Sequence, residues 1–122
     1  MRFLLPVLFF VSFQCHGQLK VGDPAPSLLG KTMSGDPVLL ESFRGKVLVV
    51  TFWASWCGPC RQSFPWLGQL QARHGARGLQ VIGINVDRQR SAAERFLVQV
   101  PAAFTLAFDP AGDVAQRYAV QG

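Results

Sequence analysis

The stretch Val47-Leu48-Val49-Val50-Thr51-Phe52-Trp53-Ala54-Ser55-Trp56-Cys57-Gly58-Pro59-Cys60 decides how this chain folds. Val47–Phe52 is an unbroken apolar and β-branched run, the pattern of a strand buried on both faces of a parallel sheet. From Gly58 to Arg73 the pattern becomes helical, with Pro65 inside it as an expected kink. A Cys-x-x-Cys pair therefore sits where a buried strand gives way to a helix. A thiol at a helix N-terminus feels unpaired backbone N–H groups and the positive end of the helix dipole, which stabilise its thiolate. Cys57 is accordingly the expected nucleophile. Cys60, one turn on, is close enough to resolve a mixed disulfide. Pro59 suits the first helical turn, where a missing N–H costs nothing.

Other uses of two cysteines are weaker fits. A purely structural bond between them would close a very small loop and contribute little entropic stabilisation. A zinc site wants about four ligands, and after the first 17 residues the only histidine is His74. A peroxidatic cysteine would want a Thr three residues before it, where Ala54 and Cys57 stand instead. A thiol–disulfide exchange site is the reading that remains.

Working outward, Val21-Gly22-Asp23-Pro24-Ala25-Pro26 is too proline-rich to be helical. The turn signal Ser34-Gly35-Asp36-Pro37 predicts a hairpin between Ser27–Thr32 and Val38–Leu40. Gly75 and Gly78 end the first helix, and Leu79–Val86 reads as a second buried strand. Ala92–Gln99 is expected to be helical, Phe104–Phe108 a strand and Val114–Tyr118 a helix. Alternating strands and helices predict an α/β fold with parallel, right-handed crossovers.

Composition narrows the class further. The chain has 122 residues, enough for one domain, with 49% hydrophobic and 16% charged residues. Disordered chains are charge-rich and poor in apolar residues, so disorder is excluded. The net charge is +5, but the basic residues are scattered singly, with no stripe and no interleaved aromatics of the kind that marks nucleic-acid binding.

Residues 1–17, MRFLLPVLFFVSFQCHG, read as a leader. Its apolar run, Phe3–Phe13, is short for a membrane span of about 20 residues and right for a secretory signal. Cys15 and Gly17 are small residues at −3 and −1, which predicts cleavage after Gly17 and leaves 18–122 as a single domain. An uncleaved anchor and acylation at Cys15 are the alternatives, although Gln14 and Ser12 do not form a lipobox. All three place the domain outside the cytosol, where disulfides persist.

The sequence FWASWCGPCR, followed by Pro65, resembles the thioredoxin superfamily, and more narrowly its TlpA/ResA-like thiol–disulfide oxidoreductases. The similarity includes Gly22-Asp23-Pro24-Ala25-Pro26, Phe43-Arg44-Gly45-Lys46, Ile84-Asn85-Val86-Asp87 and the stretch from Asp109 to Gly122. It implies a thioredoxin-like fold with an N-terminal β-hairpin and a helix–strand insertion at Ser91–Phe108. It also implies a periplasmic or otherwise extracytoplasmic monomer that reduces protein disulfides through Cys57 and Cys60. Trp56, Gly58 and Pro59 would support the site, and no cofactor beyond the redox-active disulfide would be needed. The implied partners are protein disulfides and a membrane thiol electron donor. Haem-binding cysteines of apocytochromes c, as in cytochrome c maturation, and copper-centre assembly proteins are candidate substrates. A redox-sensing or interaction module without turnover, and an inactive fragment, are the other readings.

Three departures qualify the resemblance. Thr51 stands where thioredoxins carry a buried Asp, and Ser63 where the TlpA/ResA-like pattern has a Glu. Thr51 and Ser63 thus become the candidate proton-transfer positions for Cys60. The family pattern also continues beyond Gly122 with a cis-proline, two strands and a helix. The expectation is a domain lacking those elements, in which Val47–Phe52 is left as an apolar edge.

Among other residues, Trp53 is expected in the core and Trp56 on a docking surface. Trp66, Leu67 and Leu70 are expected to face the core, Arg61 to be solvated, with steering of an anionic substrate or a raised thiolate content as its alternative, and Asp87 to cap a loop. Asp109-Pro110 and Gly112 are expected to form a turn.

Overall fold

The structure is a computed structural model that describes residues 19–120. The predicted leader at 1–17, with Cys15, lies outside the described residues. The order is β1 (Leu28–Lys31), β2 (Pro37–Leu39), β3 (Val47–Trp53), α1 (Gly58–His74), β4 (Leu79–Asn85), α2 (Arg90–Gln99), β5 (Thr105–Phe108) and α3 (Asp113–Arg117). Short 3-10 turns at Leu40–Phe43 and Gly75–Arg77 follow β2 and α1. The predicted elements are all present, with ends moved by a few residues. The predicted hairpin strand 38–40, for example, is Pro37–Leu39, because Leu40 opens the 3-10 turn.

The strands form one sheet in the order β2-β1-β5-β4-β3. β3 runs parallel to β4 from Val47↔Leu79 to Trp53↔Asn85, and β4 parallel to β5. β1 is antiparallel to both β2 and β5. The family resemblance makes the strand before the cysteines central. Among the described residues it lies at the sheet edge, as expected for this chain, paired with β4 alone, so Val47–Phe52 is half-buried to exposed rather than buried on both faces.

Period-two alternation divides the apolar residues between two faces. Trp53, Leu106 and Phe108 join Cys60 and Phe64 of α1 and Ala93 and Phe96 of α2. Leu48, Val50 and Phe52 of β3, Ile82 and Ile84 of β4 and Ala107 of β5 face the other way, against Leu29, Val114 and Tyr118. Each fully buried aliphatic or aromatic side chain of this kind contributes roughly 1.5–3 kcal/mol. Two glycines permit close approaches. A Cβ on Gly30, at φ +123°, would stand 2.9 Å from the Phe108 carbonyl oxygen at the β1–β5 junction. A Cβ on Gly83 would stand 2.8 Å from the Phe104 ring and 3.2 Å from Trp53 Nε1.

The buried positions of α1 are Cys60, Phe64 and Leu67, spaced by four and three residues. This corrects the expectation for Trp66, which is 60% exposed, and Leu70 is only half-buried. Two residues past Phe64, Trp66 points roughly 200° around the helix from the core. No helix among the described residues is long and apolar enough to cross a membrane.

Candidate active site

β3 ends at Trp53, whose carbonyl accepts the Val86 N–H at 2.9 Å and stays tied to the end of β4. The chain then turns through Ala54–Cys57, with the Cys57 N–H donating to the Ala54 carbonyl at 3.1 Å. Cys57 is the N-cap of α1, in extended geometry at φ −86° and ψ 102°, and Pro59 lies in the first helical turn. Cys57 and Cys60 are joined in a disulfide, with their Cα atoms 5.4 Å apart.

The two sulfurs have unlike surroundings. Cys60 is 8% exposed and packs into the Trp53–Phe64–Phe96 cluster, whereas Cys57 is half-buried at its rim. The cluster is interlocked edge-on: Trp53 and Phe64 centroids lie 5.0 Å apart, and Phe64 and Phe96 5.1 Å apart. Such pairs add about 0.5–1.5 kcal/mol each beyond area burial. Trp53 is therefore core, as expected, and its Nε1 is buried without a hydrogen-bond partner.

Trp56 is 70% exposed beside Cys57, and Gly58 and Pro59 are exposed on the first turn. Alternation along β3 sets Thr51 on the same face as Trp53, toward α1. Ser63 is half-buried, and its hydroxyl donates to the Cys60 carbonyl at 3.1 Å. That bond engages the hydroxyl proton with backbone. Arg61 is not simply solvated. Its guanidinium lies 5.0 Å over the Phe96 ring, and Nη2 donates to Gln99 Oε1 at 2.8 Å.

Asp87 has a larger part than a sequence reading gives it. Its carboxylate is 6% exposed and accepts from the Ser55 N–H, the Ser55 hydroxyl and Asn85 Nδ2, at 2.9, 2.7 and 2.8 Å. The loop carrying Trp56 and Cys57 is thereby fastened to the end of β4. The signal available in sequence was an Asn85-x-Asp87 pair directly after a buried strand, where a polar residue needs partners to be buried. Asp109 is a true turn residue. Its carbonyl accepts the Gly112 N–H at 3.1 Å, and its carboxylate accepts the Val114 and Ala115 N–H groups at the start of α3.

Two clefts flank the loop. One, of about 280 Å³, is mostly apolar and includes Phe52, Trp56, Cys57, Val86 and Ala115. The other, of about 260 Å³, lies between α1 and α2 and includes Ser55, Arg61 and Arg95. A larger groove of about 480 Å³ is lined by residues from Leu40 to Leu48 and contains no thiol. Among the described residues no group of three or more His, Cys, Asp and Glu side chains is gathered to hold a metal. Chemically, the site offers a dithiol–disulfide couple with one accessible and one shielded sulfur.

The Redoxin family model matches residues 20–122. The thiol-disulfide oxidoreductase ResA of Bacillus cereus is 27% identical over 108 residues, which are 88% of this chain and 62% of that protein. The chain thus spans less than two thirds of such relatives. A structure from Chlorobium tepidum, provisionally assigned as the thiol:disulfide interchange protein DsbE, is 48% identical at a TM-score of 0.72, covering 81% of this chain and 68% of that one. The thioredoxin domain of a thiol-disulfide oxidoreductase from Bacteroides vulgatus is 25% identical at a TM-score of 0.77, covering 86% of this chain and 77% of that one.

Proposed function

This chain belongs to the Redoxin family, as a TlpA/ResA-like member of the thioredoxin superfamily, and from that premise we propose that it is an exported reductase of protein disulfides. In the reduced form, the Cys57 thiolate attacks one sulfur of the substrate disulfide and expels the other as a thiolate. Cys60 then loses its proton and attacks Cys57 Sγ, which forms the Cys57–Cys60 bond and releases the second substrate sulfur. Two electrons pass from the dithiol to the substrate, and the two protons of the dithiol end on the substrate thiols. A membrane thiol donor, suggested by the resemblance, restores the dithiol.

The observation that carries this reading is the unequal burial of Cys57 and Cys60 at the N-terminus of α1. The helix terminus stabilises a thiolate at Cys57, and burial keeps Cys60 from reacting with anything but Cys57. The reductive direction rests on the Gly-Pro dipeptide between the cysteines, shared with thioredoxin, whose potential is about −270 mV. The dithiol serves without a further cofactor, Trp56 contributes to docking, and Thr51 or Ser63 lies on the route of the Cys60 proton. Residues 1–17 direct export, and 18–122 belong to a thioredoxin-like domain that acts as a monomer.

The test is insulin reduction together with equilibration in glutathione buffers. A couple near the thioredoxin value with catalytic turnover is expected. A potential near the oxidising couples at about −120 mV, or stoichiometric reaction without turnover, would contradict a reductase.

A further inference from the structure

The cleft between α1 and α2 combines features that an ordinary solvated surface lacks. It is lined by Ser55, Arg61, Ala92, Arg95, Phe96 and Gln99. Ala92, Arg95, Phe96 and Gln99 recur at helical spacing and share one face of α2. Arg61 comes from α1, directly after Cys60, and Ser55 lies two residues before Cys57. The cleft is therefore built into the same segment as the disulfide.

The Arg61 guanidinium is oriented by neutral groups, the Phe96 ring beneath it and Gln99 Oε1 beside it. One of its five N–H donors is used in that bond, and its charge is left uncompensated by these contacts. Holding the planar fork in place beforehand lowers the entropy lost when an anion binds. Arg95 contributes a second, exposed guanidinium to the same cleft. Asp87, whose carboxylate holds Ser55 of the lining, is buried and accepts from Ser55 and Asn85 rather than from either arginine. Glu94 is exposed and not part of the lining, since adjacent helical positions point about 100° apart.

We propose that this cleft binds the carboxylate of an acidic side chain close in sequence to the substrate's reducible cysteine. The inference rests on the reductase reading and supplies its substrate class: protein disulfides with a Glu or Asp beside the cysteine. A carboxylate from the substrate protein is favoured over a polyanion because two arginines form a single point of contact rather than a stripe. Because Arg61 directly follows Cys60 and Ser55 stands two residues before Cys57, a side chain within a few residues of the substrate cysteine is the group that would extend from Cys57 toward this cleft.

The test uses the full chain, oxidised, and labelled peptides of one sequence with serine in place of cysteine. Each carries a single Glu, Gln or Lys at one position within three residues of that serine. At low salt, at least one register should bind the Glu peptide about five-fold tighter than the Gln peptide, and the Lys peptide weakest, as two exposed arginine–carboxylate pairs would give. The difference should shrink as salt rises. Arg95→Glu should reverse the order, a result that misfolding cannot produce. Arg73→Gln, twelve residues and roughly 18 Å along α1 from Arg61, should leave the order as it was.

Equal binding at every register, or an order unchanged by Arg95→Glu, would overturn the proposal. Turnover of the matching cystine peptides keeps the two ideas separate. Charge preference without turnover upholds the cleft and removes the reductase reading. Turnover without charge preference does the opposite.

Discussion

Asp87 takes both hydrogens that Ser55 can offer, the backbone N–H on Oδ2 at 2.9 Å and the hydroxyl on Oδ1 at 2.7 Å. Its own N–H donates to Asn85 Oδ1 at 3.0 Å, and Asn85 Nδ2 donates back to Oδ2 at 2.8 Å. A buried network in which every member is satisfied rigidifies the segment it joins. Here that segment is the turn between β3 and α1.

Asp87→Ala leaves Ser55 and Asn85 donors unpaired in a buried setting, at a cost of about 3 kcal/mol. Asp87→Asn retains one acceptor oxygen and should cost about half as much. Urea denaturation measures both. The reduced Asp87→Ala protein should also show altered alkylation kinetics at Cys57, because the loop that presents this residue is no longer tethered.

Limited alkylation of the reduced protein should label Cys57 first, since Cys60 is 8% exposed and enclosed by aromatic rings. Cys60→Ser should accumulate mixed disulfides with substrates, and Cys57→Ser should accumulate none. Mass mapping reads the first outcome and non-reducing gels the second. Preferential labelling of Cys60 would reverse the assigned roles.

Gly83→Ala should destabilise by roughly 1–3 kcal/mol through overpacking. The added methyl would sit 2.8 Å from the Phe104 ring and 3.2 Å from Trp53 Nε1, so the aromatic cluster under Cys60 has to move. A thermal shift assay measures the loss. A stability equal to that of the parent would mean that the rings yield without strain.

Tyr118, the only tyrosine, donates its hydroxyl to the Pro26 carbonyl at 3.1 Å and packs edge-on to Phe52. Burial raises its pKa above the usual 10.0. The unfolded phenol therefore ionises first, and its contribution to stability is complete below pH 10 and lost as pH climbs through the higher folded value. Tyr118→Phe should cost about 1 kcal/mol near neutrality. The gap between the two proteins should narrow above pH 10, as followed by denaturation across pH.

The parts of the fold written in contiguous sequence were legible. VLVVTF and LQVIGI declare strands because β-branched apolar runs have few other uses, and the Cys-x-x-Cys position follows from where one of them ends; only LQVIGI is a buried strand, since VLVVTF lies half-buried at the sheet edge. Long-range pairing was not legible. Lys31 opposite Phe108 joins the hairpin to the parallel strands, yet neither residue advertises the other. Spacing alone misplaces Trp66, because Trp66, Leu67 and Leu70 have helical spacing while Cys60, Phe64 and Leu67 define the face that is buried. Arg61 and Arg95 come from different helices, so no linear pattern could reveal a shared cleft.

The division of the apolar residues between two faces separates robustness from chemistry. Both sulfurs draw on the cluster of Trp53, Phe64 and Phe96, while Leu29, Ile82, Ile84 and Val114 lie across the sheet from them. Drift in the second set alters how firmly the domain holds together with little direct effect on the electron-transferring pair. Drift in the first set alters both at once. Sequence variation in such a molecule should accordingly be freer behind the sheet than in front of it, and stabilising substitutions are best sought there.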